Sequence, residues 1–204
     1  MMFEMWKKIC LSFLFVIFAG ISAFAQNVNV TATGGTTNAT YATLKTAFDA
    51  VNAGTHTGAI TFDIAANTTE PLNASAVLNS SGAGAASYAS PLIRPTADNV
   101  TVTGAGGNGT QCGGRGLIEM NGADNVTIDG DNPNTAGVNR NLTLQNTAAN
   151  TLTFTSVIRV AVNITTVISA DNNAFRNPNI VGSANGRNIG TANTSTGSEF
   201  TTLG

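Results

Sequence analysis

The stretch Pro91-Leu92-Ile93-Arg94-Pro95-Thr96-Ala97-Asp98-Asn99-Val100-Thr101-Val102-Thr103-Gly104 returns, altered, as Gly116-Leu117-Ile118-Glu119-Met120-Asn121-Gly122-Ala123-Asp124-Asn125-Val126-Thr127-Ile128-Asp129-Gly130. The block Ala-Asp-Asn-Val-Thr is unchanged after 26 residues, at 97–101 and 123–127. A looser copy follows in Val157-Ile158-Arg159-Val160 and Val162-Asn163-Ile164-Thr165. Asn141-Leu142-Thr143-Leu144-Gln145 lies between these copies as another alternating strand. Each unit holds short strands bounded by Gly, Asn, Asp or Pro, and none can bury its apolar side alone. Stacking the units solves this, with Val100, Val126 and Ile164 expected above one another and backbones pairing at about 4.8 Å. The reading is an all-β chain, a right-handed parallel β-helix or solenoid. A β-sandwich needs no near-identical strands at a fixed offset.

Asn99, Asn125 and Asn163 each precede the inward Val or Ile, and are expected to form a structural ladder of side-chain amides at the bend. All three also match the Asn-x-Thr sequon, so glycosylation is the alternative role.

Upstream, Asn27 to Thr33 alternates as a strand. Tyr41, Leu44, Phe48 and Val51 then fall on one helical face, which predicts a helix over about 40–53 with Thr40 as N-cap and Gly54 as stop. Ile60, Phe62 and Ile64 mark a strand over about 59–65. The start reads as a secretory signal: Lys7 and Lys8, an apolar run from Ile9 to Ala25, and the small-x-small site Ala23-Phe24-Ala25. The organisation is therefore 1–25 signal peptide, 26–90 N-terminal cap and 91–204 first coils, with export to the extracellular space or cell surface and no membrane insertion after cleavage. Cys10 precedes the apolar core and is no lipid-attachment site, and Cys112 beside Gly113-Gly114 reads as a small residue in a turn.

The 204 residues carry 9 Lys+Arg and 11 Asp+Glu, a net charge of -2, which gives no field to attract nucleic acid. Polarity comes from 30 Thr and 25 Asn. Beyond the signal only Tyr41, Phe48, Phe62, Tyr88, Phe154, Phe175 and Phe200 are aromatic, too few for an ordinary two-layer core but enough for thin stacked layers.

The run Thr40-Tyr41-Ala42-Thr43-Leu44 through Phe48-Asp49-Ala50-Val51-Asn52-Ala53-Gly54, then Val77-Leu78-Asn79, Gly84-Ala85-Ala86-Ser87-Tyr88 and Asn121-Gly122-Ala123-Asp124-Asn125-Val126-Thr127-Ile128-Asp129-Gly130, resembles the N-terminal region of large bacterial secreted surface proteins. The resemblance implies a helix capping a β-helix of the pectin-lyase-like type. It also implies that further coils, adhesive modules and a sorting domain follow, so that the chain is a fragment. Should the chain instead stop at Gly204, the unpaired edge of its open last coil is expected to self-associate.

Such folds host carbohydrate-active enzymes, though fold alone is analogy. Asp124, Asp129 and Asp131 form the best acidic cluster, able in principle to hold Ca²⁺ or to serve as acid and base on a glycosidic bond. The run Asp129-Gly130-Asp131-Asn132-Pro133-Asn134 also reads as a turn. Arg94, Glu119 and Arg159 are expected in one column of alternating charge, and the single His56 as a loop residue, which excludes a multi-His metal site. No catalytic residue and no cofactor other than that Ca²⁺ candidate is assigned. The expected role is a non-catalytic structural or adhesive segment facing extracellular glycans or cell-surface partners. The alternative is a polysaccharide lyase or glycoside hydrolase whose groove lies partly beyond residue 204.

Overall fold

A computed structural model describes residues 25–105, 116–148, 156–163, 167–183 and 200–202. Residues 1–24, which hold nearly all of the expected signal peptide, and both cysteines lie outside these residues, as do Phe154 and Ile164.

The chain opens with β1 (Val28–Gly35), where Val28 and Val30 point inward, and turns back through β2 (Asn38–Tyr41). Helix α1 spans Leu44–Asn52, and its face of Leu44, Ala47, Phe48 and Val51 is fully buried. Its N-cap is Thr43 in a reciprocal capping box with Thr46. Tyr41, expected inside the helix, instead pairs with Val28 in the β1–β2 hairpin, so the ladder hydrogen bonds of that hairpin displace the cap from Thr40 to Thr43. At the other end Gly54 adopts φ 75°, with its N–H bonded to Val51 O and that of Thr55 to Ala50 O, a closure that favours glycine.

The remaining strands run β3 (His56–Ile64), β4 (Thr68–Thr69), β5 (Ala76–Asn79), β6 (Leu92–Pro95), β7 (Val100–Gly104), β8 (Gly116–Asn121), β9 (Thr127–Asp129), β10 (Leu142–Asn146), β11 (Ser156–Ala161), β12 (Ala174–Arg176), β13 (Asn179–Val181) and β14 (Phe200–Thr202). They form three sheets, ordered β12-β9-β6-β3-β1-β2, β13-β10-β7-β4 and β14-β11-β8-β5. From β3 onward the chain visits the sheets in turn, so parallel neighbours are three strands apart in sequence.

Two parts of the expected architecture are corrected. The sheets are mixed: β2, β1 and β3 pair antiparallel, and so do β11 and β14. Helix α1 contributes Phe48 to the core, edge-on to Phe62 at a centroid distance of 5.0 Å. The layers also do not superpose the 26-residue repeat. Val100 pairs with Leu142, and Thr127 with Leu92. Parallel register partners lie 31 to 47 positions apart, as with Asp63 and Arg94 or Thr127 and Ala174. The all-β right-handed parallel β-helix is thus replaced by a mixed α/β arrangement of parallel and antiparallel sheets.

The physical reason lies at the corners. Asn99 (φ 56°) and Asn125 (φ 57°) both occupy the left-handed region that Asn tolerates better than most residues. Asn99 turns the chain from β6 into β7, however, whereas Asn125 turns it from β8 into β9. The repeated block therefore marks one local bend used at two different corners. Asn163, the third member of the expected ladder, is buried, exchanges backbone hydrogen bonds with Ile168 and donates from Nδ2 to Ser80 Oγ at 3.5 Å.

Other asparagines link the layers. Asn141 Oδ1 accepts from Asn99 N (3.1 Å), Asn67 Oδ1 from Thr101 N (2.8 Å) and Asn173 Oδ1 from Val126 N (2.8 Å). Asn52, at the end of α1, donates to Val77 O and accepts from Asn79 N, and Asn121 Nδ2 donates to Asn79 Oδ1 (2.9 Å).

Inside, Phe62, Ile93, Ile128 and Phe175 are successive register partners on the first sheet. Val102, Leu144 and Ile180 line the second, and Ile118 with Ile158 the third. Each fully buried aliphatic of this kind contributes about 1.5–3 kcal/mol, so the stack is held without many aromatics.

Glu70, 3% exposed, ties the helix to the strands. Its Oε1 accepts from Leu44 N (2.9 Å) and its Oε2 from Lys45 N (2.8 Å), the first amides of α1. We expect Glu70→Ala to lose about 1–3 kcal/mol in urea unfolding, because one buried and one half-buried amide lose their acceptor; unchanged stability would contradict that role. Burial, outweighing the backbone hydrogen bonds, raises the Glu70 pKa. Its linkage contribution is therefore full below the ordinary glutamate range and is lost as pH rises through the raised value. Glu70→Gln should remove that slope, which unfolding across mildly acidic pH measures.

Candidate functional site

The outer face of the six-stranded sheet carries an open groove of about 700 Å³. Register builds its floor: Thr31 lies opposite Thr61, Thr61 opposite Leu92, Leu92 opposite Thr127, and Thr127 opposite Ala174. Alternation turns these residues outward, while Val30, Phe62, Ile93 and Ile128 turn inward. A register shift between Ala32 and Gly34 brings Thr33 against Gly58 and Ala59. The Thr33 hydroxyl accepts from Ala59 N at 3.0 Å, and a Cβ on Gly58 (φ 79°) would fall 2.2 Å from that oxygen. Pro91 and Asn125 border the floor, and Asp129 with its register partner Arg176 closes one end.

The three acidic candidates are placed apart in function. Asp124 Oδ1 accepts from Asp171 N (2.5 Å), Asp129 Oδ1 from Asp131 N (3.0 Å) and Asn177 Nδ2 (3.3 Å), and Asp131 Oδ1 from Asn139 N (2.7 Å). Each carboxylate accepts from a backbone amide at a bend. Among the described residues no three His, Cys, Asp or Glu side chains are grouped to hold a metal ion.

The expected Arg94-Glu119-Arg159 column stands in its Glu119–Arg159 pair and is corrected at Arg94. Arg94 Nε pairs with Asp63 Oδ1 at 2.8 Å on the first sheet, while Glu119 and Arg159 are register partners on the third, 3.2 Å apart. The 26-residue offset moves a residue to another face of the stack, not to the next layer. His56 is also not a loop residue. It begins β3 with no exposed surface, and Nδ1 lies 2.5 Å from Thr36 O. A carbonyl accepts only from N–H, so Nδ1 carries a proton, and Nε2 shares a hydrogen bond of 2.7 Å with the Tyr41 hydroxyl. Burial raises the Tyr41 pKa. Tyr88, whose hydroxyl donates to Asn79 O, is raised by burial and then by the Asp124 charge.

The excursion 130–141, between β9 and β10, is ordered by its own side chains. Asn132, 2% exposed, donates to Asp98 Oδ1 (2.7 Å) and Thr135 Oγ1 (3.1 Å) and accepts from Asn134 N (3.0 Å). Asn134 Nδ2 reaches Thr96 O, and Asn139 Nδ2 the carbonyl of Asn132. The turn reading of 129–134 holds, but its extension to a latch on Asp98 needed the register to be seen. Thr31, Thr61, Leu92 and Arg176 carry no mark of a site in the sequence. Their only signal is strand alternation, which says which face they share but not which residues adjoin across strands.

The chain matches no known family, no curated protein and no solved structure. Among the described residues no helix is long and apolar enough to cross a membrane.

Replacing Asn132 by alanine removes its side-chain hydrogen bonds to Asp98, Thr135 and Asn134 N and should open 131–139 to proteases; a resistant loop would contradict the latch. The Thr135 hydroxyl, then the Asn132 amide, hold the Asp98 carboxyl below its ordinary range. The latch is therefore full above the ordinary aspartate pKa and is lost as pH falls through the lowered value.

Proposed function

We propose that the chain is a non-catalytic structural and adhesive segment of an exported surface protein, and that the groove over the six-stranded sheet faces extracellular glycans. The observation that carries this reading is the in-register row Thr31, Thr61, Leu92, Thr127 on a floor of paired strands. Hydroxyls and one aliphatic side chain offer many weak, directional contacts, which a repeating ligand multiplies. The acidic side chain at the groove end, Asp129, spends one oxygen on a turn amide and on Asn177, a structural use. Export is supported by Lys7, Lys8, the apolar run and Ala23-Phe24-Ala25. The resemblance to bacterial secreted surface proteins points the same way.

On a glycan array the chain should bind without releasing sugar. Generation of reducing or unsaturated ends that disappears in Asp129→Asn would replace the adhesive reading by an enzymatic one. Bulky substitutions at Ala23 and Ala25 should block processing and export, and efficient cleavage despite them would contradict the signal.

A further inference from the structure

Resting on the reading of the groove as a glycan site, the geometry points to an uncharged, extended glycan that runs across the strands and is read chiefly by Thr61 and Thr127. Neighbouring strands lie about 4.8 Å apart, close to the length of one pyranose in an extended β-linked chain. Successive sugars then meet successive strands, from Thr31 through Thr61 and Leu92 to Thr127.

The hydroxyls on this row are available. Among the described residues Thr31, Thr61 and Thr127 make no side-chain hydrogen bond to protein, whereas the hydroxyl of Thr33 holds Ala59 N and that of Thr103 donates to Thr68 O. Leu92, half-buried between Thr61 and Thr127, presents an apolar surface to the C–H face of a sugar. The Asn125 amide stands at the lip with donor and acceptor groups.

Charge decides the class. The groove contains one acid, Asp129, and one base, Arg176, side by side in register, so their charges cancel. A polymer with a carboxylate on every sugar would need repeated cations along the row, and the row holds threonine and leucine. A neutral chain meets every position without an unpaired charge.

Calorimetric titration of the full chain tests this with a soluble neutral β-glucan oligosaccharide and a polygalacturonate oligosaccharide. The expected result is binding of the neutral oligosaccharide, insensitive to added salt. The Thr61→Val, Thr127→Val double variant should bind it about tenfold more weakly, through loss of two hydroxyl hydrogen bonds. Thr101→Val, on the second sheet, should leave affinity unchanged, and matched melting temperatures confirm that the variants fold. Binding of polygalacturonate alone would overturn the neutral class while leaving the adhesive reading intact. Wild-type affinity in the double variant would overturn the assignment of the row. Failure to bind any glycan on an array would remove the underlying reading itself.

Discussion

Parallel pairing between strands that lie 31 to 47 residues apart is the constraint from which the other features follow. Closing so many long loops costs chain entropy before any contact offsets it, and each short strand brings only a few inward side chains. The register must therefore be shared among many small interactions. Backbone ladders supply most of them. At the bends, where a ladder would leave amides unmet, the side chains of Asn67, Asn141 and Asn173 accept from the neighbouring layer. The high asparagine content thus has a mechanical use in this chain: the residue both tolerates the left-handed bend and reaches across one strand spacing.

Once the register is set, inside and outside are determined together. The inward partners Phe62, Ile93, Ile128 and Phe175 become a continuous apolar column, and the intervening outward residues become the groove floor. A slip of one residue in β6 would exchange Leu92 and Ile93 and destroy both. Helix α1 and Glu70 extend the same logic to the N-terminal end. There the helix amides are met by a carboxylate from the strand layer, and Asn52 bonds to the edge of β5.

Much of the local structure is legible in the sequence, because it rests on local chemistry. Alternation identifies β3, β7 and β10, helical spacing identifies the buried face of α1, and the Asp129 to Asn134 run identifies a turn. Layer assignment is not legible by the same means. The block Ala-Asp-Asn-Val-Thr looks like the mark of a layer, but it encodes the conformation of a bend, and bends recur at more than one corner. That single ambiguity misplaces the Asn99, Asn125, Asn163 ladder and the place of Arg94 beside Glu119 and Arg159, and with them the pairing of Thr61, Leu92 and Thr127 that makes the groove. The use of Thr43 over Thr40 as N-cap has a related origin, since the hairpin partner of Tyr41 is distant from the helix in sequence.

The central claim is the register itself, and engineered disulfides test it most directly. In a chain with Cys10 and Cys112 replaced by serine, Thr101→Cys with Thr143→Cys places two thiols on directly paired residues of β7 and β10. Neighbouring strands about 4.8 Å apart lie within the range a disulfide spans. This pair should oxidise readily in the folded chain, whereas Thr101→Cys with Thr127→Cys, which the 26-residue repeat would superpose, should remain reduced. Efficient cross-linking of the second pair and not the first would contradict the register and the groove built on it.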